Sequence, residues 1–170
     1  MDIDIRQLNA SDAEVFSALR RIVTADNPVP MGLSLDEELT RPLQGFRDQL
    51  SAPSPNAAFG AFIDGQLRAC AAVAWSNRFA SSRHKAILWG CFVDPDFRQE
   101  GLGRRVVGRA LEHASGHGVR RVNLTVYLPN DAAVSLYTSV GFEPCGRESE
   151  AVYLDGRFHD GQHMTLVVAG

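Results

Sequence analysis

At 170 residues, with 45% hydrophobic and 22% charged residues, the chain has the size and composition of one globular domain with a sizeable core, expected to run over 1–170. A net charge of −3 argues against a nucleic-acid surface, which carries a basic excess, and no apolar run is long enough to span a membrane. Cys70, Cys91 and Cys145 are odd in number and lack metal-ligand spacing, so they read as free thiols in a reducing compartment; with no signal-peptide character in MDIDIRQLNASDAE, a cytoplasmic location and no bound metal are expected.

The elements follow in chain order. Ile3 and Ile5 alternate with polar residues and predict a first strand. Ser11-Asp12-Ala13-Glu14 predicts a helix start, with Ser11 as cap and Glu14 completing a capping box. Val15, Phe16, Leu19, Ile22 and Val23 form its apolar stripe, and Asn27-Pro28-Val29-Pro30 breaks it. A second helical stretch runs from about Leu35 to Leu50, interrupted at Pro42. Ala58 to Ile63 and Leu67 to Trp75 predict two strands joined by Asp64-Gly65, a hairpin signal. Asn77 to His84 is polar and loop-like. Ala86 to Val93 is apolar almost throughout and predicts a central strand buried on both faces, ended by Pro95. Leu102, Val106, Val107, Ala110, Leu111 and Ala114 recur at helical spacing until Gly116 and Gly118. Val122, Leu124, Val126 and Leu128 predict the next strand, and a short helix runs from Asp131 to Val140. Two last strands, roughly Gly146 to Leu154 and His163 to Val168, are linked at Asp155-Gly156.

The stretch Arg98-Gln99-Glu100-Gly101-Leu102-Gly103-Arg104 carries the first chemical signal. A helix start offers unpaired N–H groups and the positive end of the macrodipole. Gly101 and Gly103 let an oxygen-rich group approach the backbone, and Arg98 and Arg104 add positive charge. Phosphate or pyrophosphate suits this arrangement, although glycines that merely relieve strain in a turn would look the same.

This stretch, following Val93-Asp94-Pro95, resembles the acetyl-CoA signature of the GNAT family of N-acetyltransferases, Gln/Arg-x-x-Gly-x-Gly/Ala after a strand. Gln99 stands where many members have Gly, and Glu100 where many have a basic residue. Leu124-Thr125-Val126, Asn130, Ala133, Leu136, Tyr137, Gly141 and Phe142 resemble the family's second signature. The element order β-α-α-β-β-β-α-β-α-β-β is also the family's. The resemblance implies an α/β fold with a mixed, mostly antiparallel sheet of six to seven strands and four helices. It implies acetyl-CoA as co-substrate, held by Phe92, Val93, Arg98, Gln99, Glu100, Gly101, Leu102, Gly103, Arg104, Asn130, Ala133 and Tyr137. Tyr137 is expected to protonate the leaving thiolate, while a main-chain N–H near Cys91 to Val93 meets the developing oxyanion. Gly90 would permit the strand bulge that turns such donors inward. Read without the family, Tyr137 is a core residue and Asn130 a helix cap.

The general base is the gap. Many members carry a Glu four residues before this Val; here Trp89 stands there. His84 is the first choice, ahead of His159 and His163 in the last hairpin, and proton loss through water is equally open. Cys91 reads as core rather than nucleophile. A subgroup of small bacterial acetyltransferases resembles the chain further, through His84-Lys85 to Gly90 and through Asp155-Gly156-Arg157, Asp160 and Met164. The acceptor is then an amine of a small molecule or of a peptide or protein, on a monomer or homodimer, with no nucleic-acid or membrane partner. Glu37, Trp89 and Tyr153 are expected to line its wall, and Glu37-Glu38 favour a cationic acceptor. The missing strand carboxylate keeps open a non-catalytic acetyl-CoA sensor. A dinucleotide module is disfavoured by Val106 where a third glycine would stand.

Overall fold

The computed structural model describes residues 1–75 and 79–168, so Asn77 and Arg78 of the expected loop lie outside the described residues. The elements are β1 (Ile3–Gln7), α1 (Ala13–Asp26), α2 (Leu35–Thr40), α3 (Leu43–Leu50), β2 (Ala57–Ile63), β3 (Gln66–Ala74), β4 (Lys85–Val93), α4 (Leu102–Gly116), β5 (Arg121–Tyr127), α5 (Asp131–Val140), β6 (Glu143–Leu154) and β7 (Arg157–Val167). The strands form one seven-stranded sheet in the order β1-β2-β3-β4-β5-β7-β6. All neighbours are antiparallel except β4 and β5, because a helix crosses over between them.

Both faces of β2 and β3 are covered, so these strands read as continuous apolar runs. On one face Val106, Val107, Ala110 and Ala114 of α4 pack with Phe59, Ala61, Val73, Leu88, Val122, Leu124, Phe142 and Met164. On the other, Phe16, Leu19, Val23, Phe46 and Leu50 from α1 and α3 pack with Phe62, Cys70, Ala72 and Phe92.

Four expectations are corrected. Pro42 splits the second helical stretch completely, giving five helices where four were expected. It ends α2 by disfavouring helix at Arg41, and serves as N-cap of α3. The first capping box lies two residues earlier than expected. Asn9 caps a 3-10 turn at Ala10–Asp12 by accepting from the Ser11 N–H, and Asp12 accepts from the Asn9 N–H while bridging Arg6 at 2.8 Å. Asp12 thereby replaces Ser11 as the residue preceding α1, and α1 has no side-chain cap. The last hairpin is longer at both strands, because β6 already pairs from Glu143 opposite Thr165 and β7 pairs on through Phe158 and Arg157 beside the turn. Finally, β4 is not buried on both faces throughout. Ile87 is 57% exposed, since α1 and α3 pack against the β1–β4 part of the sheet and leave this face of β5 and β7 open.

Candidate active site

The two central strands part company. β4 and β5 pair only through Lys85, Ala86 and Ile87 with Arg121, Val122 and Asn123. β4 then continues to Val93 and β5 to Tyr127 with no bonds between them, which opens a wedge in the sheet. Within this segment Gly90 and Cys91 together oppose Ala71, and Gly90 adopts φ +60°. The result is the bulge for which Gly90 leaves room. The extra residue re-aims the strand. Leu88, Cys91 and Val93 contact the α4 cluster, while Trp89 and Phe92 contact the α1/α3 cluster. Without the bulge, Phe92 would fall on the wrong face.

The strand ends on a built anchor. Asp94 is 3% exposed, bridges Arg68 at 2.8 Å and accepts from the Asp96 N–H at 3.0 Å, and its own N–H bonds the Arg68 carbonyl. After the Pro95–Phe97 turn, Gln99 takes φ +65° and Gly101 φ +76°. Position 99 thus has the left-handed conformation that glycine prefers, which gives the departure noted there a physical meaning. The first helical bond of α4 runs from the Arg105 N–H to the Gly101 carbonyl at 3.2 Å. The amides of Gly101, Leu102, Gly103 and Arg104 precede it, and no side chain caps them. These donors form the anion-binding end.

The two glycines have different tasks. A Cβ on Gly101 would meet nothing within 4 Å. A Cβ on Gly103 would lie 3.3 Å from Leu136 Cδ2 and 3.4 Å from Val93 Cγ2, so Gly103 lets α4 approach α5 and β4. Arg104 reaches Ser139 Oγ on α5 at 3.4 Å. Arg98 is drawn aside, bridging Asp26 at 2.9 Å and donating to the Val93 carbonyl. Glu100 is exposed in the loop, and Leu102 is buried as the first residue of α4.

α5 starts where expected. Asn130 accepts from the Ala133 N–H at 3.2 Å, and Gly141 closes the helix at φ +113°. Tyr137 is buried at 8% exposure, edge-on to Phe142, and its hydroxyl meets the Cys91 thiol inside the wedge. Burial first, and Cys91 second, push the phenol well above its usual value. Burial likewise pushes the Cys91 thiol up to about 11, against the Tyr137 hydrogen bond that lowers it. A neutral phenol is a proton donor, and a protonated thiol is no nucleophile.

Other expected site residues are placed elsewhere. His84 is exposed at the closed end of the wedge, where its carbonyl accepts from Arg120 and Arg121 at 2.9 Å each. Six strand residues lie between it and Cys91, about 20 Å, so it does not join Tyr137. Glu37 is held in the α2 capping box, accepting from the Ser34 N–H at 2.8 Å. Glu38 is fully buried against Arg20, at 2.7 and 3.1 Å. Glu38 is thus spent on Arg20, whereas Glu37 is exposed with one carboxylate oxygen committed to the cap. Tyr153 is 62% exposed at the hairpin tip, stacked at 4.9 Å on Phe158. Trp89 does lie at the wedge, packed like Met31 and Leu43 against the α1/α3 cluster, with a buried Nε1–H that has no acceptor among the described residues.

Three features escaped the sequence reading. The loop between α1 and α2 reaches across the wedge, where Gly32 (φ +72°) presses on Tyr127 so closely that a Cβ would sit 2.6 Å from its ring. Asp160, quoted above only as part of a resemblance, clamps a bulge in β6 by accepting from the Glu150 N–H and from Arg147, at 3.0 Å each. The Glu150 N–H foremost, then Arg147, hold its carboxyl below the usual carboxylate range. The Arg20–Glu38 pair showed only as two charges at compatible positions on separate helices.

The profile described as "Acetyltransferase (GNAT) family" matches residues 16–142. A mycobacterial protein, "N-alpha-acetyltransferase RimI" of Mycobacterium tuberculosis, is 36% identical over 145 residues, 85% of this chain and 80% of that protein. The Escherichia coli "[Ribosomal protein bS18]-alanine N-acetyltransferase" is 36% identical over 74 residues, 43% of this chain and only half the length of that relative. A Salmonella typhimurium protein solved with its cofactor acetyl-CoA superposes with a TM-score of 0.79 at 18% identity, over 99% of this chain and 95% of that one.

Proposed function

From the premise that this chain belongs to the GNAT acetyltransferase family, we propose that it moves the acetyl group of acetyl-CoA to a primary amine by direct attack. The observation that carries the proposal is the pairing of a buried, protonated Tyr137 with the bulged segment of β4 inside the β4–β5 wedge, in line with the uncapped start of α4. The pyrophosphate would take the amides of Gly101 to Arg104, with Arg104 beside them and Arg98 available on leaving Asp26. The pantetheine arm would run along the unpaired edge of β4 at Phe92 and Val93, with Asn130 and Ala133 across from it. The freed thiolate would take its proton from Tyr137. The raised Cys91 thiol supports direct attack over an acetyl-cysteine intermediate.

The names of the two relatives point to α-amino groups of proteins, so a peptide amino terminus is the first acceptor class to test. The single experiment is a turnover screen of acetyl-CoA against peptide α-amines, lysine side chains, polyamines and small amines. Turnover on one class establishes the activity. Tight acetyl-CoA binding with no turnover on any amine would favour a non-catalytic sensor instead.

A further inference from the structure

The site described so far has a proton donor for the leaving thiolate and no group to deprotonate the incoming amine. β4 offers no carboxylate, and Trp89 occupies the position that opens the wedge. The opposite strand offers something else. β4 and β5 last pair at Ile87 and Asn123. Two residues on, Trp89 and Thr125 stand level on either side of the wedge and share the face that Ile87 and Asn123 occupy. Thr125 Oγ1 lies 2.8 Å from Nδ1 of His163, its Cα partner on β7. His163 Nε2 lies 3.4 Å from Glu148 Oε2 on β6. Three adjacent strands thus align a hydroxyl, an imidazole and a carboxylate.

The order of groups fixes the protons. Glu148 favours a proton on Nε2, which leaves the Nδ1 lone pair for the Thr125 hydroxyl to donate to. The Thr125 oxygen keeps its own lone pairs for a second donor. Gly161 on β7 leaves room for the Thr125 methyl, since a Cβ there would lie 3.0 Å from it. The β6 bulge clamped by Asp160 begins at Glu148, so the same clamp holds the carboxylate's strand in register. The three side chains lie on the part of the sheet that α1 and α3 leave open, with His163 and Glu148 40% and 55% exposed. Tyr137 packs on the other face of the sheet. An amine entering from the open face and a thioester from the α4–α5 face would meet in the wedge with separate proton routes.

We propose that Thr125, His163 and Glu148 form the relay that takes the proton from the acceptor ammonium, resting on the acetyl-transfer reading above. The ammonium N–H bond breaks as its proton passes to Thr125 Oγ1, while the Thr125 proton passes to His163 Nδ1. The lone pair left on nitrogen attacks the thioester carbonyl. Glu148 balances the imidazolium, which returns its proton to water at this exposed position. Thr125 is the group that touches the amine, and His163 acts through it.

The test uses the full chain, acetyl-CoA and the best amine of the screen, with kcat/KM followed across the pH range in which histidine titrates. Thr125→Val and His163→Gln lower kcat/KM for the amine about 100- to 10,000-fold, with acetyl-CoA binding by thermal shift unchanged. The pH profile of kcat/KM differs from wild type in His163→Gln and in Glu148→Gln. Both deficits shrink once the pH is high enough to neutralise the amine itself. His117→Gln, remote from the wedge, keeps the wild-type profile. Wild-type rates in Thr125→Val or His163→Gln overturn the relay, as does a lower rate with an unaltered pH profile, which marks a structural role alone. Failure of the wild-type chain to bind acetyl-CoA is a separate result; it removes the acetyl-transfer reading and the relay with it.

Discussion

Tyr137 carries its proton across the working pH range because burial, with Cys91 beside it, disfavours the phenolate. If that proton goes to the departing thiolate, Tyr137→Phe keeps the packing against Phe142 and removes only the acid. We expect kcat to fall about 100- to 10,000-fold, roughly 3 to 5 kcal/mol of barrier, with acetyl-CoA affinity little changed. Steady-state turnover beside a binding titration decides it, and unaltered kcat in the Phe variant would assign the proton to solvent. Gly90 makes a different claim, about backbone. A Cβ there would come no nearer than 4.0 Å to Ala72 or Phe92, so crowding is no obstacle to a side chain. Its φ of +60° is the obstacle. Gly90→Ala should therefore cost about 1–2 kcal/mol of stability in urea unfolding, and turnover should fall further than stability, because the bulge aims Cys91 and Phe92 at opposite faces. An alanine variant with wild-type stability would show the bulge to be relaxed.

At the scale of elements, α2 is held down by charge. Glu38 is fully buried, bridged to Arg20 at 2.7 Å and to Arg41 at 3.6 Å, and the Arg20 guanidinium sits among the rings of Phe16, Phe46 and Phe92. Removing one partner strands a buried charge. Glu38→Gln should cost about 3–5 kcal/mol, while Arg20→Met with Glu38→Leu together should cost less than Glu38→Gln alone. Chemical denaturation of the single and double variants measures both, and a larger loss in the double variant would refute the argument. The far end of α4 is held differently. His113 accepts no charge readily, for burial holds its imidazole below the ordinary value of 6.5, the Pro55 carbonyl opposes this, and His117 and Arg109 add to the lowering. The unfolded chain therefore takes this proton first. Stability should decline as pH falls below about 6.5 and level off only beneath the lowered folded value. In His113→Gln that portion of the decline should vanish from the thermal melting profile.

Across the whole molecule, the β1–β4 and β5–β7 parts of the sheet share only three residue pairs between β4 and β5. The two helices on either side of the wedge, α4 and α5, meet at Gly103 and Leu136. A ligand spanning the wedge would contact both parts, so it should stabilise the fold as one unit. At a hundred times its Kd, acetyl-CoA should add about 2.7 kcal/mol, which for a chain of this length raises Tm by about 5–10 °C. The absence of any shift at saturation would withdraw the cofactor assignment. Among the described residues no helix is long and apolar enough to cross a membrane.

Whatever depends on local chemistry and short spacing was legible in the order of residues alone. The periodicities located nearly every element, Asp64-Gly65 and Asp155-Gly156 located the hairpins, and Asn130 to Gly141 bounded α5 to the residue. The helix start at Gly101 was legible because its donors are adjacent in the chain. Which distant residues meet depends instead on how the chain packs in three dimensions. His84 looked close to the chemistry because it precedes the central strand, yet the strand carries it away along its own length. Glu37 and Glu38 looked like acceptor ligands, but one closes a cap and the other neutralises Arg20 from a different helix. Thr125, His163 and Glu148 lie on three strands that pair only after the sheet forms, with up to 38 residues between hydrogen-bonded partners. Backbone pairing sets that register, and no spacing within the chain encodes it.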